Sequence, residues 1–360
     1  MKSIQYCLLL LIICTCSVAK AQQPIISGYY AGNSKDIGNY QLNKLNYVIF
    51  SFGHLKGNRL HISNAGDTAL IKKMVGYKKS NPGLKVLLSL GGWGGCKTCS
   101  PVFATQKGRD EFAASCKELL QYFNADGVDL DWEYPAVAGY PDHPYSTADR
   151  HNFTLLVKAM RRQFKKNYEI SFASGGSTVC VDSSFEWKEV MKIADKVNLM
   201  SYDLVHGNST VSGHHTPLFS TPEQQESTDN AVKRMIAAGV PPHKIIIGAA
   251  TYARVFQLED ALNNGLYRPA RFHHGISHTT LYDSISKQNG FVQYFDPVAQ
   301  APYAFNAARK ALVTYDDSVS IKAKMKYVKD MKLGGIMFWQ LMDDKPVGGL
   351  LDVMYRGREE

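Results

Sequence analysis

The chain is 360 residues long, more than most single cores need but within the range of one α/β barrel. Its 41 basic residues against 32 acidic ones give a formal charge of +9, yet no Lys/Arg-rich run of the kind that tracks phosphate accompanies the excess. Arg161-Arg162 and Lys165-Lys166 read as the solvated face of an amphipathic helix, so the pattern excludes nucleic acid as a partner.

Residues 1–21 begin with Lys2, run through an apolar stretch from Tyr6 to Val18 and end in Ala19-Lys20-Ala21, the pattern of a secretory signal. The mature chain is expected to start at Gln22, to be secreted, and to carry a charge of +7, because the signal takes two lysines with it. The apolar stretch is too short to span a bilayer and no later run reaches ~18 apolar residues, so no membrane anchor is expected. Four cysteines remain after processing: Cys96, Cys99, Cys116 and Cys180. Export permits disulfides. Cys96-Lys-Thr-Cys99 follows a Gly-rich loop and is read as a local bridge, whereas Cys116 shares a helical stripe with Phe112, Leu119 and Phe123 and reads as core. Spacing alone leaves the connectivity open.

Short apolar runs then alternate with amphipathic helical stretches. Strands are predicted at 25–30, 47–52, 85–90, 127–133, 169–173, 196–202, 244–250 and 335–340, and helices at 67–80, 108–123, 148–166, 187–194, 227–238 and 318–331. Eight strands joined by helices demand a parallel sheet closed on itself, an α/β fold of the (β/α)8 or TIM-barrel type. An open doubly wound sheet is the competing architecture, but no G-x-G-x-x-G follows the first strand, and Gly91-Gly92 and Gly94-Gly95 surround Trp93 in a loop better explained by tight backbone geometry. The seventh connection holds roughly sixty extra residues, too many for a simple loop. Its mixture of aromatics with Gly and Asn predicts a small α+β insertion between strands seven and eight, at about 254–315. Residues 22–360 are thus read as one barrel domain carrying that insertion, and a monomer is expected.

The segment Asp126-Gly-Val-Asp129-Leu-Asp131-Trp-Glu133-Tyr-Pro135 carries the chemistry. On a strand, Asp129, Asp131 and Glu133 share one face while Val128, Leu130 and Trp132 pack on the other. Like charges in one row are destabilising unless something uses them, and crowding raises at least one of their pKa values. In a barrel, sites form where strands end. Those positions hold Tyr29, Phe52, Ser89 to Trp93, Glu133 and Tyr134, Met200 to Asp203, Tyr252, Arg254 and Trp339. A ring of aromatics around acids suits a sugar, whose C–H faces stack on π surfaces while its hydroxyls take hydrogen bonds.

With these motifs in view, the mature chain resembles family 18 glycoside hydrolases, the chitinase family. The family's D-x-x-D-x-D-x-E pattern matches Asp126, Asp129, Asp131 and Glu133, its S-x-G-G matches Ser89, Gly91 and Gly92, and its M-x-Y-D matches Met200, Tyr202 and Asp203. The strand-eight tryptophan corresponds to Trp339, and the aromatic and arginine beside the insertion to Tyr252 and Arg254. Two departures are Tyr252-Ala-Arg254 in place of Tyr-Gly-Arg, and Ser174-Gly-Gly176 in place of a proline-containing turn.

Acids at i and i+2 of one strand stand side by side, so they cannot flank a glycosidic bond at the ~5 Å a protein nucleophile requires. The resemblance implies instead that the substrate's N-acetyl group attacks its own anomeric carbon. Glu133 is then the general acid and base, Asp131 orients the acetamide, Asp129 is its buried partner sharing a proton, and Tyr202 donates to the acetamide oxygen. Trp339 floors the pocket, and Tyr29, Phe52, Trp93, Tyr134, Met200, Asp203, Tyr252 and Arg254 line the site. The implied substrates are chitin or N-acetylglucosamine oligosaccharides, with an endo-β-N-acetylglucosaminidase on N-glycans and a non-catalytic chitin-binding lectin as alternatives. No cofactor and no metal are expected. His214-His215 and His273-His274 are adjacent pairs whose rings are expected to diverge, a poor basis for a metal site.

Overall fold

The computed structural model describes residues 23–359, and the secretory segment assigned to residues 1–21 lies outside them. The described chain forms, in order, β1 (Ile25–Tyr30), β2 (Tyr47–Lys56), β3 (Arg59–His61), β4 (Lys85–Gly91), β5 (Gly127–Asp131), β6 (Glu169–Gly175), β7 (Lys196–Met200), β8 (Ile245–Ala250), β9 (Tyr252–Leu258), β10 (Ala270–Ser277), β11 (Val292–Asp296), β12 (Ala301–Asn306), β13 (Ala311–Thr314) and β14 (Gly335–Trp339). Strands β1, β14, β8, β7, β6, β5, β4 and β2 lie side by side in parallel, and the β1–β2 pairing closes the ring. This is the (β/α)8 barrel expected from the alternation of apolar runs and helical stripes.

The helices follow their stripes closely because their starts are chemically marked. Asn64, Thr105, Ser227 and Asp317 each accept a backbone N–H at the first turns of helices Ala65–Gly76, Gln106–Phe123, Thr228–Ala237 and Ser318–Asp330. The stripe at 187–194 yields only Trp187–Val190. Several strand ends also differ, three of them in ways that bear on the site. β2 runs on to Lys56 and turns at Gly57 (φ 61°) into a hairpin with β3, a polar extension that an apolar run could not announce. β5 stops at Asp131 and β7 at Met200. Glu133 and Tyr202 therefore stand in the loops beyond the strands, and only Asp129 and Asp131 share the strand face assigned to all three acids. Val128, Leu130 and Trp132 do pack outward, with Trp132 set between Phe103 and Phe153.

The insertion is an antiparallel sheet ordered β10-β9-β13-β12-β11 with helix His278–Ser284 against it. It begins at Tyr252, two residues beyond the end of β8. Alternation along β9 and β13 sends Ala253, Val255 and Val313 to the face that packs on Leu281 and Ile285. Phe256, Leu258 and Leu312 go to the opposite face, where they meet Val205 from the loop after β7.

A buried ion pair fastens the upper rim of the barrel. Lys324 and Asp316 are both fully buried, with Nζ donating to Asp316 Oδ2 (2.6 Å) and to Thr216 Oγ1 (2.6 Å). Asp316 also takes the Ala250 N–H at the end of β8 (3.1 Å) and the Ser320 hydroxyl (2.7 Å). Burial depresses the Lys324 pKa, and the Asp316 charge works against that. Removing one partner of such a pair strands the other charge in a medium of low polarity. Lys324→Met is therefore expected to cost about 3–5 kcal/mol in urea unfolding at neutral pH, and a loss below about 1 kcal/mol would show that Asp316 needs no counter-ion.

Candidate active site

Asp129 is the floor of the site. It is completely buried on β5 and accepts from Tyr29 Oη of β1 (2.9 Å), Ser89 Oγ of β4 (3.0 Å), Ser171 Oγ of β6 (2.5 Å) and Asn198 Nδ2 of β7 (3.0 Å). Each oxygen takes two donors, so the carboxylate's acceptor capacity is filled. Burial raises its pKa, and these hydrogen bonds oppose the rise.

Asp131, two residues on, is 3% exposed and its Oδ1 has no hydrogen-bond partner. Its pKa is pushed well above the ordinary carboxylate range by burial first, then by the charges of Glu133 and Asp129. Glu133 is half-buried in the loop beyond β5. Its pKa is pushed up to about 7, chiefly by burial and further by Asp203, against a hydrogen bond from Tyr134 that lowers it.

Tyr202, beyond β7, is 8% exposed, and among the described residues its hydroxyl has a hydrogen-bond partner only in the Met337 sulfur, at 3.9 Å. Burial and the charges of Asp131, Glu133 and Asp203 raise its pKa well above the phenolic value, so it stays a donor. Asp203 has a left-handed backbone (φ 57°) and turns its carboxylate toward the insertion, where Tyr252 Oη (2.7 Å) and Arg254 Nη2 (2.5 Å) and Nε donate to it. Burial would raise the Asp203 pKa, but His215 and Arg254 outweigh it and hold the group well below the usual range. Aromatic rings surround these groups. Phe52 stacks on Trp339 (5.6 Å, 13° between planes) and Tyr29 leans on the same indole at 5.9 Å. Met200 and Tyr202 sit in the inner cluster with Tyr29, and Tyr134 and Tyr252 pack on its edge.

The structure thus brings Asp129, Asp131, Glu133, Tyr29, Phe52, Tyr134, Met200, Tyr202, Asp203, Tyr252, Arg254 and Trp339 to one end of the barrel. Trp93 stands apart at the rim, 56% exposed. Cys96 and Cys99 form a disulfide (Cα–Cα 5.2 Å), and Cys116 and Cys180 are free and buried.

The sequence reading missed three groups. Ser171 and Asn198 hold Asp129, and a polar residue in the middle of each apolar strand was the available signal. His215 was set aside as half of an unremarkable pair, yet it is fully buried with Nδ1 3.5 Å from Asp203 and its ring against Tyr252. Its neighbour His214 points to Asp296 instead (3.1 Å). The divergence expected of His273 and His274 does not occur: their Nδ1 atoms lie 2.6 Å apart, because the register of β10 shifts between Phe272 and His274. Among the described residues no group of three His, Cys, Asp or Glu side chains is placed to hold a metal ion.

Comparison with known proteins gives the family. The model of glycosyl hydrolases family 18 matches residues 25–344. The chain belongs to that family. Among curated relatives, Chitinase A1 of Niallia circulans is 32% identical over 311 residues, covering 78% of this chain and 44% of the relative. Chitotriosidase-1 of Mus musculus is 30% identical over 327 residues, covering 84% and 68%. The chain therefore spans less than half the length of the first and about two thirds of the second. Among solved structures, a family 18 N-acetylglucosaminidase from Paenibacillus barengoltzii superposes with a TM-score of 0.84 at 34% identity, covering 93% of this chain and 99% of that one.

The four donors on Asp129 make its removal costly for the whole barrel. Asp129→Leu leaves the hydroxyls of Tyr29, Ser89 and Ser171 and the Asn198 amide without their acceptor. The expected loss is about 3 kcal/mol or more in denaturant unfolding, and a loss under about 1 kcal/mol would mean that the donors re-pair among themselves.

Proposed function

We propose that this chain is a chitinase that hydrolyses β-1,4-linked N-acetylglucosamine chains by a retaining, substrate-assisted mechanism. The observation that carries the reading is a complementary pair of unused groups in the cavity. Asp131 Oδ1 is a buried acceptor without a donor, and the Tyr202 hydroxyl is a buried donor without an oxygen or nitrogen acceptor. An acetamido group supplies both partners, its N–H for Asp131 and its carbonyl oxygen for Tyr202. Held that way, the carbonyl oxygen is turned toward the anomeric carbon of its own sugar.

In the first step Glu133 delivers its proton to the glycosidic oxygen as the carbon–oxygen bond breaks, and the acetamide oxygen bonds to the anomeric carbon. The resulting oxazolinium cation lies against Asp131. In the second step Glu133, now a carboxylate, takes a proton from water as that water attacks the anomeric carbon and reopens the ring. Trp339 forms the apolar floor under the reacting sugar. The insertion sheet, fastened through Tyr252 and Arg254 to Asp203, makes one wall of a cleft suited to a linear polymer and supports chitin over a branched N-glycan core. The names of the chitinase relatives point to the same substrate class. Residues 1–21 are read as the signal that exports the enzyme.

The substrate test uses N-acetylchitooligosaccharides beside fully deacetylated chitosan. Only the acetylated chains should be cleaved, with the β-anomer as first product by proton NMR. A thiazoline analogue of the intermediate should inhibit competitively, and Glu133→Gln should lower the rate by at least ~10²-fold. Cleavage of the deacetylated polymer with no thiazoline inhibition would sink the mechanism.

The pH dependence follows from Glu133. A general acid must be protonated to act, so kcat/KM is expected to fall as pH rises through about 7. The Asp203 charge helps hold that pKa up, so Asp203→Asn should move the alkaline limb toward lower pH. A limb that stays in place or moves upward would show that Asp203 does not act on Glu133.

A further inference from the structure

We propose that Asp343 is a positioning residue for the candidate cleft: on the reading that Trp339 floors the reacting sugar, Asp343 ties the insertion to the backbone beside that indole and so fixes the spacing of wall and floor.

Phe52 and Tyr29 keep the Trp339 indole in the inner aromatic cluster. Apolar contact of that kind is non-directional, so it does not set where the ring stands relative to the insertion. Hydrogen bonds, which have a required geometry, act on the backbone beside it instead. Thr251, the one residue between β8 and β9, donates its N–H to the Trp339 carbonyl (3.0 Å) and its hydroxyl to the Gln340 carbonyl (2.6 Å). Its own carbonyl accepts the N–H of His278 (3.0 Å), the first residue of the insertion helix.

Asp343 closes this chain of contacts into a circuit. Its Oδ2 accepts from Gln340 Nε2 (3.1 Å), and its Oδ1 accepts from the hydroxyl of Ser277, the last residue of β10. The circuit runs from Trp339 and Gln340 through Thr251 to His278, back one residue to Ser277, and through Asp343 to Gln340. Beside it, His278 and Asp344 are both buried, with Nδ1 3.2 Å from Oδ1. Asp344 also takes the N–H groups of Leu350 and Leu351 (2.8 Å each), which anchors the loop carrying Asp343 to the start of helix Leu350–Glu359.

Strand β8, from which the insertion grows, lies between β7 and β14. On the β7 side Tyr252 and Arg254 hold Asp203. Ser277 on Asp343 is the matching contact on the β14 side, and the two together set the insertion across the barrel mouth. Wall and floor then bound one sugar from two sides. A misplacement of about 1 Å far from the chemistry can cost about 10²-fold in rate, so the link should be read in kcat.

The test compares Ser277→Ala, Asp343→Ala and the double variant with the unmodified protein on N-acetylchitohexaose. Each single variant should lower kcat about tenfold with KM within about twofold, and the double variant should lose no more than the singles, because both changes remove one link. Ser277→Ala deletes only a hydroxyl and carries the test by itself if Asp343→Ala does not fold. Unchanged kcat in Ser277→Ala, or losses that multiply in the double variant, would overturn the proposal. Acrylamide quenching reads the floor without turnover. Of the four tryptophans, Trp132 and Trp187 are buried, so in Trp93→Phe the accessible emission is that of Trp339. Adding Ser277→Ala to Trp93→Phe should steepen the quenching, and an unchanged slope would show that the link does not hold the indole. An unmodified protein inert toward N-acetylchitohexaose would overturn the underlying functional reading instead, with the quenching still deciding whether Asp343 positions Trp339.

Discussion

One fully buried carboxylate organises the interior of this barrel. Asp129 costs several kcal/mol to desolvate unless its oxygens are fully paired, and the four donors that pair them come from β1, β4, β6 and β7. The strands that carry the reactive groups are therefore held in mutual register by a hydrogen-bond network as well as by their ladders. Satisfying Asp129 in this way leaves its neighbour exposed to the opposite condition. Asp131 shares the strand face and the low-polarity surroundings, but its Oδ1 receives no donor.

Carboxylates of one intrinsic strength consequently occupy different states at one end of the barrel. Asp129 is saturated with donors and Asp131 retains a free buried oxygen. Glu133, burdened by burial, is poised near neutrality. Asp203 is held ionised by His215 and Arg254. Environment alone separates them, which is how one fold holds carboxyl groups in different protonation states at once. The Asp203 ion pair also joins the loop after β7 to the first strand of the insertion, so the seat of the insertion and the charge beside Glu133 are set by the same contacts.

The barrel was legible because its signals are local and repeated. Apolar runs of strand length, amphipathic stripes and side-chain caps such as Asn64 and Asp317 each act within a few residues of their own position. The acids and most of the aromatic wall were legible for a related reason: strand ends in this fold converge, so residues at those ends can be placed together without coordinates. The boundaries were less so. β5 and β7 stop short of Glu133 and Tyr202 although the alternating pattern continues, because the pairing of β5 with β6 ends at Leu130 and that of β7 with β8 at Leu199.

The sequence by itself determined the fold class, the insertion and the identity of the acids, since periodicity and spacing are properties of the chain alone. Tertiary structure decided which of those acids is paired and which is free. It also brought Ser171, Asn198 and His215 to them from distant strands and loops. Those relations depend on what each group loses in water and meets in the folded interior. Burial and partner identity are set only when strands far apart in the chain become neighbours.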